Sequence, residues 1–280
     1  MLIPCDTLSS ADLATWQRLE LWDQALANSP ALSRKEERAI RDIQEFARTH
    51  ECYSGVSWGK DSVVVAHLLW RAQVNIPLVW VVVRPTANPF CFDVRDEFLR
   101  RFEIDYHEVI DNRRWAPEDP TARWTGWADA HHRGWHHGFD MCEQRYGANH
   151  ISGVRGEENG TRERRMLRWG VSSPHTCAPI GFWSAVDVFA YLSKYDLPVH
   201  PSYAMSYGGR LDRRVLRVDA LGGWTGTGTK LQSEMTTSAA GMQRNSVEAH
   251  YYRTAVEELS RIREPSAASW LRLWEDRDVR

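Results

Sequence analysis

The hydrophobic pattern of the chain begins with two helices and then changes to short buried segments. The helices span residues 9–50 and are separated at residues 28–30, which include a proline. We expect the second to begin near Ser33, where Ser33 and Glu36 have the spacing of a capping box. Its apolar side chains recur at helical intervals: Ala39, Ile40, Ile43 and Phe46.

Short apolar runs then predict four strands separated by helices. Leu78–Val83 is apolar at every position, which is typical of a strand covered on both faces. The other strands are predicted at residues 51–56, 104–110 and 150–154, with helices at about 62–72 and 91–102.

Strands that alternate with helices predict a parallel sheet with right-handed crossovers. We therefore expect an α/β fold, a parallel twisted sheet with helices on both faces. A helical N-terminal extension (1–49) precedes the main domain (50–205), and a C-terminal loop and helical tail (206–280) pack on that domain.

The junction of the first strand with the next helix is a candidate phosphate site. Its small-residue turn lets backbone N–H groups and the helix dipole meet an anion, to which Lys60 adds a charge. Asp61 would repel phosphate unless a divalent cation lay between them, and it also separates this loop from the Walker pattern. The candidate nucleotide-binding residues are Ser57, Trp58, Gly59, Lys60, Asp61 and Ser62.

A second candidate segment follows the predicted strand at residues 150–154. Gly153 ends this strand, and Arg155 and Arg162 follow where ligands bind in parallel sheets. Two guanidiniums there could neutralise a departing pyrophosphate or an oxyanion acceptor. The alternative is a solvated helix start in which Glu and Arg pair with one another. Farther on, Ser184 and Asp187 predict a capped helix, which alone indicates no chemistry.

Residues 57–62 resemble the Ser-Gly-Gly-Lys-Asp-Ser loop of the ATP pyrophosphatases, with Trp58 in place of the first glycine. Residues 179–191 and 197–203 resemble the Pro-Ile-x-x-Trp and Leu-Pro-x-His-Pro-x-Tyr segments of the phosphoadenosine phosphosulfate (PAPS) reductase family. The resemblance covers about residues 50–205. It implies an adenine nucleotide alpha-hydrolase-like fold and cleavage of ATP between its α and β phosphates, which leaves an adenylated acceptor and pyrophosphate.

This reading assigns a role to each candidate residue. Lys60, Asp61, Arg155 and Arg162 are expected to be catalytic, and Gly153 joins the loop in binding the nucleotide. The expected cofactors are ATP and Mg²⁺, with Asp61 as the metal ligand.

The resemblance leaves the acceptor open. PAPS reductases carry a nucleophilic cysteine in their C-terminal segment, but no cysteine follows Cys177, so neither reductase activity nor an iron–sulfur cluster is expected. Two relatives fit, the catalytic subunit of ATP sulfurylase and the ATP pyrophosphatases of DNA phosphorothioation systems. A basic run could hold a polyanion and favours DNA, with a cysteine desulfurase or other sulfur-modification subunits as partners: Arg210, Arg213, Arg214 and Arg217. A solvated face is the alternative interpretation of this run. A non-catalytic nucleotide-binding subunit is the alternative of another class.

Composition bears on the overall charge, the cellular compartment and the possibility of a membrane partner. The net charge of −2 over 280 residues does not indicate a globally cationic protein, and five scattered cysteines fit a reducing cytoplasm. No apolar run approaches membrane-spanning length, so no membrane partner is expected. The histidines at 131–137 are interpreted as plain surface, phosphate contact or zinc ligands, and the loop 222–229 as a linker or a cover for the nucleotide.

Overall fold

A computed structural model describes residues 1–83, 87–111, 127–214, 216 and 218, with backbone only at 111 and 127–136. The strands are β1 Tyr53–Val56, β2 Leu78–Val83, β3 Tyr106–Asp111, β4 His150–Ile151 and β5 Thr176–Cys177. The helices are α1 Ser10–Ala27, α2 Pro30–Thr49, α3 Lys60–Ala72, α4 Phe90–Arg101, α5 Trp127–Tyr146, α6 Gly160–Trp169 and α7 Ala185–Lys194. Short 3₁₀ helices occupy Gly156–Glu158 and Pro201–Ala204.

The five strands form one parallel sheet in the order β3-β2-β1-β4-β5. Ser54 lies opposite Leu78 in the ladder of β1 with β2, and Leu78 lies opposite Tyr106 in the next ladder. The strand order reverses direction at β1, between β2 and β4. The loop after β1 therefore opens at a topological switch point, where ligands bind in sheets of this kind.

Strand β2 is covered on both faces, as its uninterrupted apolar sequence predicts. Leu78, Trp80 and Val82 point into the main core, which also contains side chains of α2, α3, α4 and α7. Val79 and Val81 point to the other face, where they pack with Tyr53 and Cys142 of α5. The expected α/β fold, a parallel sheet with helices on both faces, is confirmed.

Helix α2 begins earlier than the sequence predicts. The Ser29 side chain accepts a hydrogen bond from Leu32 N, and Pro30 occupies the first helical position, where a missing N–H costs nothing. The predicted start at Ser33 is therefore wrong. Glu36, its expected capping partner, is instead buried and accepts hydrogen bonds from three side chains of α3, α7 and the α7 C-cap: Arg71, Lys194 and Tyr195.

Helix α1 buries two acids on its inner face, Asp12 and Asp23, beside Trp16. One Asp12 oxygen accepts hydrogen bonds from Ser206 N, Ser206 Oγ and Gly208 N. Residues 206–214, which we call the strap, are thereby fastened to α1. Because α1 also packs against α7, the N-terminal helix and the strap belong to the wall around the sheet's carboxyl edge.

None of the described helices is both long enough and apolar enough to span a bilayer.

Candidate functional site

The loop after β1 holds Trp58 in a backbone conformation that glycine usually occupies. Its φ is 59°, and the indole is fully buried against the rings of Trp80, Phe98 and Tyr106. The left-handed conformation costs about 1–2 kcal/mol, while burying a large apolar side chain contributes about 2–3 kcal/mol. The aromatic pocket therefore lets tryptophan stand where the resembling motif has glycine.

Hydrogen bonds fix the loop at the N-terminus of α3. Ser62 Oγ donates to Gly59 O at 3.0 Å and accepts from Ser57 N at 3.2 Å, which ties the two ends of the loop together. Lys60 N donates to the Tyr203 hydroxyl at 3.1 Å. A Cβ on Gly59 would lie 3.1 Å from that same hydroxyl oxygen, so a side chain there would be crowded.

Asp61 is held between two cations. Its Oδ2 accepts from Lys60 Nζ and its Oδ1 from Arg155 Nε, both at 2.7 Å. The Lys60 and Arg155 side chains are only 4% and 3% exposed, and Asp61 is 16% exposed. Burial raises the pKa of Asp61, but Lys60 and Arg155 outweigh burial and hold that pKa below its usual value. The carboxylate stays ionised and fixes both cations beside the helix N-terminus.

Arg155 connects this pair to α7. Besides Asp61, its guanidinium donates to Glu157 Oε2 at 2.5 Å and to Trp183 O at 3.4 Å. Glu157 also accepts from Ala185 N at the start of α7, at 2.6 Å. Burial lowers the pKa of Arg155, but its acidic neighbours, Asp61 foremost, raise it overall, so the guanidinium remains charged.

Gly153 lies against the phosphate loop. A Cβ at this position would be 3.0 Å from the Asp61 carbonyl carbon and 3.1 Å from Ser62 N. Such distances are tighter than most real Cβ contacts, and the neighbours are backbone atoms, so a side chain would push the end of β4 away from the loop by a few tenths of an ångström. The structure thus brings together eight sequence-predicted residues: Ser57, Trp58, Gly59, Lys60, Asp61, Ser62, Gly153 and Arg155.

Arg162 is the predicted site residue that does not contact Lys60, Asp61 or Arg155 through its side chain. It lies in the first turn of α6, its side chain is 41% exposed, and its guanidinium pairs with Glu158. Glu158 in turn accepts from Arg155 N at 3.3 Å, so Arg162 is linked to the loop only through Glu158 and Arg155. Its catalytic role stays a prediction.

The described residues do not fit Mg²⁺ at Asp61. Each carboxylate oxygen already accepts a short hydrogen bond from a cationic side chain, which opposes a further cation. Among the described residues, no group of three or more His, Cys, Asp or Glu side chains could hold a metal ion. The metal role of Asp61 remains a prediction without support from this geometry.

Tyr203 and His200 are site residues that sequence reasoning missed. His200 is fully buried, and burial lowers its pKa to about 3. Its Nδ1 accepts from Ser202 N at 3.1 Å, so Nε2 carries the proton and donates to Asn88 Oδ1 at 3.1 Å. The neutral imidazole ties the Tyr203 segment to the entry of α4. The His-Pro-x-Tyr pattern is visible in the sequence, but only the fold shows that the Tyr203 hydroxyl contacts Lys60 N.

Four of the five cysteines are buried: Cys52, Cys91, Cys142 and Cys177. Burial raises the pKa of each thiol, to about 11 for Cys52, Cys142 and Cys177. Cys91 lies nearest the loop and donates to Ser57 O at 3.6 Å. None of these thiols is activated as a nucleophile.

The predicted basic run is not a continuous cationic track. Arg213 is 8% exposed and forms a two-point ion pair with Asp23, with its guanidinium 4.0 Å from the Phe189 ring centre. Burial raises the pKa of Asp23, and Arg213 offsets only part of that rise. Arg214 pairs with Asp212, while Arg217 lies outside the described residues. Arg213 therefore holds the strap against α1, and its buried guanidinium is not available to bind a polyanion.

Two further sequence features fall partly or wholly outside the described residues. The backbone at 131–137 is helical within α5, but of the four histidine side chains only His137 is described. The loop 222–229 lies entirely outside the described residues.

A cavity of about 780 Å³ opens at the amino ends of β2 and β3. It is lined by residues 69–71, 73–76 and 103–105 and lies away from the phosphate loop 57–62. The chemistry is at the carboxyl edge, and we place the candidate site there.

Comparison with known proteins agrees with the sequence motifs. A PAPS reductase from Xylella fastidiosa is 24% identical over 169 residues, covering 54% of this chain and 66% of the relative. One from Synechococcus is 24% identical over 188 residues, covering 61% and 78%. A Candida auris PAPS reductase structure is 14% identical, with a TM-score of 0.41 over 56% of this chain and 81% of the other. The sequence pattern of the phosphoadenosine phosphosulfate reductase domain matches residues 51–228, and the chain belongs to this family.

Proposed function

We propose that the protein binds ATP at the loop 57–62, cleaves it between the α and β phosphates, and passes AMP to an oxyanion acceptor. The observation that carries the proposal is the buried arrangement of Lys60, Asp61 and Arg155 at the N-terminus of α3. It places two fixed cations beside backbone N–H groups, at the switch point of a parallel sheet.

These residues supply charge stabilisation and positioning. Lys60 and Arg155 are held by Asp61 before the substrate arrives, so little reorganisation is needed when negative charge builds up on the departing pyrophosphate. The Gly153 contact keeps the loop and the end of β4 in register. Adenylyl transfer by this route needs no nucleophile from the protein, since the acceptor oxyanion attacks the α phosphorus directly.

Four of the five thiols are buried, which favours adenylyl transfer over reduction, because thiol-based reduction requires an accessible thiolate. We propose the DNA backbone, in phosphorothioate modification, as the acceptor, with a sulfur-delivering enzyme such as a cysteine desulfurase as partner. Within the basic run this proposal rests on the exposed Arg210, because Arg213 is buried and Arg214 pairs with Asp212. Sulfate is the competing acceptor.

The experiment that tests the proposal follows a label from ATP. The protein is incubated with ATP labelled at the α phosphate and with either DNA or sulfate. Pyrophosphate release with the label on DNA supports the proposal. Label on sulfate transfers the assignment to sulfate adenylylation, and stable ATP binding without pyrophosphate release indicates a nucleotide-binding subunit.

A further inference from the structure

Helix α6 is attached to the fold by very little of its surface. Of its ten residues only Met166 is buried, and the other five side chains between 164 and 169 are all exposed. A polar helix with one buried residue gains little from packing. Its exposed side is therefore available for a ligand.

That exposed side carries three arginines that pair with no acid among the described residues: Arg164, Arg165 and Arg168. Arg164 reaches the Thr161 hydroxyl at 3.5 Å and Arg165 the Thr176 hydroxyl at 2.7 Å, while Arg168 lies over the Trp169 ring at 4.8 Å. Within the described part of the chain, no carboxylate lies within ion-pair distance of the three. No acid in the described ranges compensates their charges, whereas the charge of Arg162 is paired with Glu158.

Large apolar side chains stand among these arginines. Trp169 is 65% exposed and Leu167 is 73% exposed, so neither side chain belongs to the core. Arg164 and Arg168 are one turn apart, and Arg165 and Trp169 form the neighbouring i, i+4 pair. Arginines next to an exposed indole are the combination that holds a phosphate backbone and stacks an unpaired base.

The helix is also placed beside the candidate site. It begins at Gly160, directly after the 3₁₀ turn that carries Arg155, Glu157 and Glu158, and Arg155 contacts Asp61 of the loop. Ten helical residues extend about 15 Å. A strand lying along α6 would therefore run toward the carboxyl edge of the sheet.

We infer that the exposed face of α6, formed by Arg164, Arg165, Arg168 and Trp169, binds a single-stranded nucleic acid. This extends the proposed function, since it names the surface that receives the acceptor. The arginines contact phosphates, and Trp169 stacks on an unpaired base. Charge complementarity favours this ligand over an apolar protein segment, because three unpaired cations would be desolvated without compensation at an apolar interface.

The test is fluorescence anisotropy with a labelled single-stranded DNA, the RNA of the same sequence, and the matching DNA duplex, over a series of salt concentrations. R164Q/R168Q removes two charges and keeps helix-forming side chains, and R34Q/R41Q removes two exposed arginines from α2 as the matched control. We expect R164Q/R168Q to weaken binding and to lower the salt slope by up to about two phosphate contacts. Trp169→Ala should weaken single-strand binding on the order of tenfold and duplex binding less.

The inference is overturned if the parent binds none of the three nucleic acids at low salt, or if R164Q/R168Q binds like R34Q/R41Q. The DNA and RNA arms identify which strand is preferred. Pyrophosphate release from ATP by the parent is measured separately, with each nucleic acid and with sulfate as the acceptor. Binding through α6 with no release in any of these assays contradicts the proposed chemistry alone, whereas release with sulfate and no binding of nucleic acid contradicts this surface alone.

Discussion

At the scale of single residues, Asp61 determines the electrostatics of the site. It is the one described carboxylate that contacts both Lys60 and Arg155, and each of its oxygens serves one cation. We interpret it as the residue that positions these charges. This positioning role differs from the metal role predicted from the sequence, because each carboxylate oxygen already accepts a hydrogen bond from a cation and the geometry gives no support to a metal ligand here.

Asp61→Asn should lower the free energy of unfolding by about 3 kcal/mol at neutral pH, since it leaves two buried cations without their anion. Asp96→Asn is the control, because Asp96 also pairs with an arginine at 2.7 Å but is 53% exposed, and it should cost less than about 1 kcal/mol. The pKa of Asp61 is lowered in the native state, so its contribution is present above the ordinary carboxylate pKa of about 3.9 and lost below it. Urea unfolding of each variant measures the cost; equal costs would contradict this account.

At the scale of elements, the strap is held to α1 by acids that face inward. Asp12 accepts hydrogen bonds from the start of the strap, and Asp23 pairs with Arg213 near its end. A Cβ on Gly59 would lie 4.0 Å from Val218 Cβ, so the chain beyond the strap returns to the phosphate loop. The N-terminal helix therefore supports the site through the strap, although it lies outside the segment matched by the family.

Arg213→Ala should destabilise the protein by about 3–5 kcal/mol, because it leaves Asp23 buried and unpaired. Arg214→Ala changes the next residue, whose side chain is 54% exposed and pairs with an exposed acid, and should cost less than about 1 kcal/mol. Thermal and urea unfolding compare the two variants directly. Similar, small effects of both would show that Arg213 is a surface residue, as the sequence interpretation assumed.

The comparison of these arginines also shows what the sequence could predict. The predicted and observed bounds of strand β2 agree, because six consecutive apolar residues indicate a buried strand clearly. The loop residues could be predicted because Gly59, Lys60 and Ser62 lie together at a strand–helix junction. β5 was not predicted, since two residues carry no periodicity. The burial of Arg213 depends on Asp23, 190 positions away, and local sequence contains no signal for such a pair.

At the scale of the whole molecule, two buried histidines should make stability depend on pH. Burial lowers the pKa of His67 and of His200 to about 3. In the unfolded chain both titrate near 6.5, so below that pH the unfolded state binds protons that the native state does not, and stability falls as pH is lowered.

The expected loss approaches about 1.4 kcal/mol per pH unit for each histidine once the pH is well below 6.5, and about twice that for both. Urea unfolding is measured between pH 7 and pH 5, above the ordinary pKa of a carboxylate, in the parent and in each histidine variant. His67→Gln and His200→Gln should each reduce the slope, and the slope that remains includes His150, whose pKa burial also lowers. A stability that stays constant over this range would show that the native histidines do take up protons.

The most direct test of the central claim is which bond of ATP the protein cleaves. ATP labelled at both the α and the γ phosphate is incubated, with DNA or sulfate present as the acceptor, with the parent and with Lys60→Met, which keeps the apolar stem of the buried side chain but removes its charge. We predict that the parent leaves the α label in the AMP moiety, on the acceptor or released from it by water, and the γ label in pyrophosphate. A folded Lys60→Met should release pyrophosphate at least about tenfold more slowly. Labelled ADP with free phosphate, or undiminished pyrophosphate release by Lys60→Met, would contradict the account.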